Sequence, residues 1–95
     1  MDEKMLFYMR LDEIAEYVAN ELKVNDVNIT GKYMGLKNKI PYEYDFRMNN
    51  KVCSMYRKPN DMSVYVKTDD SLEFECARLS EVVENIMDLT EEGVA

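Results

Sequence analysis

Tyr42, Tyr44, Phe46 and Met48 alternate with Glu43, Asp45 and Arg47, and the alternation runs straight into Asn49-Asn50. No other stretch restricts the fold of this chain as much. A period of two places one set of side chains on one face of a strand. Asn tolerates the left-handed backbone that a two-residue hairpin demands at both central positions. The turn then fixes a register, with Met48 opposite Lys51, Phe46 opposite Cys53 and Tyr44 opposite Met55, while Arg47, Asp45 and Glu43 face Val52, Ser54 and Tyr56. Apolar side chains meet mostly apolar ones on the first face, the condition for burying it.

The meander extends in both directions. Lys58-Pro59-Asn60-Asp61 has the Pro of a four-residue turn at its second position and pairs Met55 with Val64 and Cys53 with Val66. A three-residue loop of Asp69, Asp70 and Ser71 then sets Val66 against Phe74, Val64 against Cys76 and Lys67 against Glu73. A further strand over about 26–34 fits Val27, Ile29 and Tyr33, with Gly31 and Gly35 marking a bulge or bend.

Outside this region the period changes. Phe7, Leu11, Ile14, Ala15, Val18 and Leu22 recur at helical spacing, as do Leu79, Val82, Val83, Ile86 and Leu89 near the other end. The spacing predicts helices over 7–22 and about 78–91, with the start of the first left open: Asp2 can cap a longer helix, and Lys4 to Met9 can equally pair as a short strand. Each has one apolar stripe to bury, and the apolar sheet face is the surface available for it. The expected architecture is a single α+β domain over 1–95: an N-terminal helix, an antiparallel meander of four to five strands and a C-terminal helix, both helices packed on one face of the sheet.

Chemistry has little to work with. The chain has no histidine and two cysteines, which excludes the usual zinc and haem ligand sets. It also lacks a Gly-rich phosphate loop and a Gly-x-Ser-x-Gly elbow. The expectation is a protein without enzymatic activity, metal or cofactor. Asp69-Asp70, the one adjacent acid pair of the central loops, reads as turn-forming. Cys53 and Cys76 share the buried face but stand two strands apart, beyond the ~7 Å that a disulfide spans between Cα atoms. Met5-Leu6-Phe7-Tyr8-Met9 is the longest apolar run, well short of the ~20 residues that cross a bilayer. Asp2 and Glu3 stand where a secretory signal carries positive charge, so the expected location is the cytoplasm.

Charge is distributed unevenly. Residues 1–31 sum to −4, residues 32–67 to +5 and residues 68–95 to −8, for a net charge of −7. Three classes of binding follow from this division. A protein partner is the leading one, met by an acidic helical side with Glu81, Glu84 and Asp88 or by the polar sheet face with Arg47, Tyr56, Tyr65 and Lys67, since Tyr and Arg dominate interface hot spots. That sheet face, with Glu43, Asp45, Glu73 and Glu75, sums to about −2. Nucleic acid is the alternative, with Lys37, Lys39, Lys51, Arg57 and Lys58 around the sheet ends tracking phosphates. A homodimer through a sheet face or edge strand is the third.

Two resemblances bear on these classes. Leu11-Asp12-Glu13-Ile14-Ala15-Glu16-Tyr17 resembles the first helix of a helix-turn-helix, but the residues after it read as a strand where a recognition helix is required. In size and charge, though in no motif, the chain is similar to small acidic α+β inhibitors of phages and mobile elements, anti-CRISPR proteins among them. That similarity implies an inhibitor, adaptor or regulator acting on another protein.

Overall fold

The computed structural model describes residues 6–22, 27–32, 42–58 and 63–91. A 3-10 turn at Leu6–Tyr8 leads into α1 (Leu11–Leu22), followed by β1 (Asn28–Lys32), β2 (Glu43–Met48), β3 (Lys51–Tyr56), β4 (Val64–Lys67), β5 (Phe74–Cys76) and α2 (Leu79–Thr90). The strands form one open antiparallel sheet in chain order. Helix α2 packs against β2, β3, β4 and β5, and α1 packs against α2. This is the α+β arrangement that the two periodicities predict.

The central hairpin forms as expected. Asn49 and Asn50 have φ of 54° and 63°, and all six β2–β3 pairs fall in the register set by that turn. Phe46, Met48, Cys53, Met55, Val64, Val66 and Cys76 of the sheet meet Ile14, Ala15, Val18 and Leu22 of α1 and Leu79, Val82 and Ile86 of α2 in one core. Leu6 completes it from the N-terminal side.

The start that the sequence leaves open is at Leu11: Leu6–Tyr8 is a separate 3-10 turn, and Met9 and Arg10 lie between it and α1. Glu13 Oε1 accepts from the Arg10 backbone N–H at 3.2 Å, one half of a capping box. The Arg57 guanidinium donates to the carbonyls of Leu6 and Met9 at 2.8 and 3.0 Å, so those oxygens are held from outside the helix.

Three further expectations are corrected. Met55 pairs with Val66 and Tyr56 with Tyr65, two residues from the register that a turn at Lys58-Pro59-Asn60-Asp61 imposes; residues 59–62 themselves lie outside the described residues. A slip of two leaves the same face buried, so alternation does not select between the registers. The observed one brings the Tyr56 and Tyr65 rings together, stacked with centroids 6.0 Å apart. The β4–β5 register, by contrast, is the one that the three-residue loop sets, with Val66 opposite Phe74 and Val64 opposite Cys76; the ladder ends at Val66–Phe74, one position before Lys67 and Glu73. Gly31 causes no bulge: it pairs with Tyr44 in an unbroken β1–β2 ladder, while Tyr33 and Gly35 lie outside the described residues. Tyr42 precedes β2 and is 46% exposed, leaving its strand-face position outside the core.

Candidate functional site

The candidate residues divide between the two sides of the sheet. Arg47, Tyr56, Tyr65 and Lys67 project from the face opposite the core, as their register with Asp45, Glu43 and Ser54 requires. Glu81, Glu84 and Asp88 stand on α2, on the helical side. One partner surface cannot collect both sets without wrapping round the sheet.

Across the polar face the register aligns Lys32, Glu43, Tyr56, Tyr65 and Glu75 in one row spanning all five strands. Neighbours in and beside that row satisfy one another. Lys32 Nζ lies 2.9 Å from Glu43 and 3.2 Å from Asp45, and these two carboxylates raise its pKa further above the ordinary lysine value. Ser54 donates to Asp45 at 2.9 Å. Tyr65 donates to Glu75 at 3.0 Å, and Tyr56 donates to Glu73. Lys58 Nζ sits 2.6 Å from the other Glu73 oxygen and 4.3 Å above the Tyr65 ring centre, while Lys67 Nζ lies 5.8 Å from that of Tyr56. Both are cation–π distances.

Covering by these neighbours leaves Tyr65 only 8% exposed, which corrects its expected role as an exposed contact. Lys32 and Lys58 also change the charge of the face. With Lys67 and Arg47 they offset Glu43, Asp45, Glu73 and Glu75 one for one, so the face is neutral, where sequence alone places −2.

Glu73 gives this network a pH signature. Its carboxyl is held below the ordinary value of 4.5, first by the hydrogen bond from Lys58 and then by that from Tyr56. A depressed carboxylate contributes stability above its unfolded pKa and loses it as pH falls through the folded one. Wild type is therefore expected to lose urea resistance faster than Glu73→Gln on acidification from about pH 5 to about pH 3. Parallel declines of the two urea midpoints would remove Glu73 from the network.

Of the basic residues proposed to track phosphates, Lys37 and Lys39 lie outside the described residues. The other three are engaged within the chain. Arg57 binds the Leu6 and Met9 carbonyls, Lys58 binds Glu73, and Lys51 Nζ donates to the Glu91 carbonyl at 3.1 Å. The last contact belongs to a cap that the sequence did not reveal. Asn49 Nδ2 donates to the Thr90 carbonyl at 3.0 Å, so the β2–β3 turn satisfies two carbonyls at the end of α2, where a cation is also favoured by the helix dipole.

The helices carry the opposite balance. Between Leu11 and Leu22 and between Leu79 and Thr90 there are seven acids and no base. The remaining twelve acids and twelve bases cancel, so the helices account for the net charge of −7. Arg10 bridges to Asp12 and Glu13 at 3.1 and 3.4 Å. Glu16, Glu21, Glu81, Glu84 and Asp88 form no ion pair among the described residues.

Cys53 and Cys76 are free and buried. Burial pushes the Cys53 thiol up to about 12 and raises that of Cys76 as well, against a hydrogen bond from Asn85. Thiolates are the reactive form, so both are packing residues. No helix among the described residues is long and apolar enough to cross a membrane. No protein-family model, curated protein or solved structure matches the chain.

Proposed function

We propose that this chain is a non-enzymatic protein-interaction module, an inhibitor or adaptor, whose acidic helical side receives a basic surface of another protein. One observation carries the proposal: Glu16, Glu21, Glu81, Glu84 and Asp88, on two helices packed against each other, form no ion pair among the described residues, while the opposite sheet face is neutral and internally bonded. Like charges left unpaired on adjoining helices create a field that attracts and orients a basic partner. The engagement of Lys51, Arg57 and Lys58 inside the chain supports a protein partner over nucleic acid.

The test is a pull-down from the source cells with tagged wild type and with Glu81→Lys/Glu84→Lys/Asp88→Lys. A partner held through these carboxylates is expected to be depleted about tenfold or more by the triple reversal, and to weaken between about 50 and 300 mM salt as screening shortens. Arg47→Ala/Lys67→Ala serves as the control on the other face and is expected to capture as wild type does. Circular dichroism establishes that each variant is folded. Undiminished capture by the triple reversal would place the interface elsewhere.

A further inference from the structure

The acidic side also has a recess. Met48, Asn49, Met87, Asp88 and Glu91 line a cavity of about 300 Å³ where the β2–β3 turn meets the end of α2. Met48 is buried, Met87 is 44% exposed, and Asp88 and Glu91 are exposed. Neither carboxylate forms an ion pair among the described residues.

Size, sign and softness together select an occupant. The volume is at the bottom of the ~300–1,000 Å³ range of ligand pockets, enough for one long side chain. Two carboxylates that form no ion pair among the described residues favour positive charge there. The cap shows the same preference: Lys51, a cation of this chain, already donates to the Glu91 carbonyl at 3.1 Å beside the recess. Thioethers are soft, adaptable surfaces that suit an aliphatic stem. Arginine combines such a stem with a planar, weakly hydrated cation able to address two carboxylates, and it is enriched at protein interfaces where lysine is depleted.

Building on the proposal that a basic protein docks on the helices, we infer that this cavity is the anchor pocket for one arginine side chain of that partner. The guanidinium is answered by Asp88 and Glu91, and the methylene stem lies on Met48 and Met87.

The test needs no partner protein. Protein carrying ¹³C-methyl methionine, each methyl assigned by Met→Leu replacement, is titrated with N-acetyl-arginine amide to about 20 mM, since one side chain's worth of contact binds in the millimolar range. The Met48 and Met87 methyls are expected to shift saturably while the other methionines stay still. Neutral N-acetyl-citrulline amide, equal in shape, is expected to leave them unmoved. Asp88→Asn/Glu91→Gln is expected to weaken the arginine response about three- to tenfold. Silence at Met48 and Met87, an equal response to citrulline, or shifts spread over all methionines would each overturn the pocket. Such a failure is separable from failure of the underlying proposal, which is decided by capture through Glu81, Glu84 and Asp88.

Discussion

Phe46→Ala is expected to remove about 3–5 kcal/mol of folding stability, the usual cost of truncating a buried aromatic to alanine. Phe46 is fully buried and heads the largest such side chains in the core. On β2 it is flanked by Ile29 of β1 and Cys53 of β3, so the sheet backbone on both sides resists collapse into the cavity. A domain of this size has about 5–15 kcal/mol in all. The melting temperature is accordingly expected to fall by on the order of 20 °C, with an unchanged denaturant slope if the unfolded state is unaffected. Tyr42→Ala is the companion measurement. It shares the strand parity of Phe46 in the sequence, yet Tyr42 lies outside β2 and is exposed, so its cost is expected to stay within about 0.5 kcal/mol. Equal losses from the two substitutions would mean that the core is not where Phe46 lies.

Tyr42 and Phe46 also show where sequence stops being informative. Alternation assigns a face, but depth within that face depends on where the strand begins and what covers its end. The β3–β4 pairing failed for a related reason: both registers bury the same side chains, and the choice rests on the Tyr56–Tyr65 contact and on Arg57 leaving the strand for the Leu6 and Met9 carbonyls. The Asn49-Asn50 hairpin was legible because its turn type and its apolar pairing agree independently. Helix stripes were legible too, apart from the start of α1, which a distant guanidinium helps to set.

The candidate surfaces followed the same division. Acids on the outside of α2 can be read from helical spacing alone. The neutrality of the polar sheet face cannot, because Lys32 enters it through the β1–β2 pairing and Lys58 through a contact with Glu73 across the sheet. Nor can the recess at the end of α2, since Met48 and Met87 are brought together by a hairpin docking against a helix C-terminus 40 residues further on. Local pattern fixes what each element presents; packing decides which of those presentations survive as free surface.

Arg57 offers the clearest separation of these levels. Sequence places it among basic residues available to phosphates, whereas its guanidinium tethers the Leu6–Tyr8 turn through the Leu6 and Met9 carbonyls, across a separation of 51 and 48 residues. The Leu6 N–H donates in turn to the Ala77 carbonyl at 3.0 Å, and the Leu6 side chain is fully buried. Hydrogen bonds to charged groups contribute about 1.5–3 kcal/mol each; the partial exposure of both bonds places Arg57→Met at about 2–4 kcal/mol for the pair. Loss is expected to be uneven as well as large. Amide exchange across Leu6–Leu22 should accelerate more than that of β2 and β3, because the tether belongs to the N-terminal unit and the sheet ladders remain intact. Arg57→Lys keeps the charge and loses the fork, so it is expected to recover only part of the stability. If Arg57→Met instead unfolds no more easily than wild type and loses affinity for duplex DNA or single-stranded RNA, the guanidinium is a phosphate contact and the tether is dispensable.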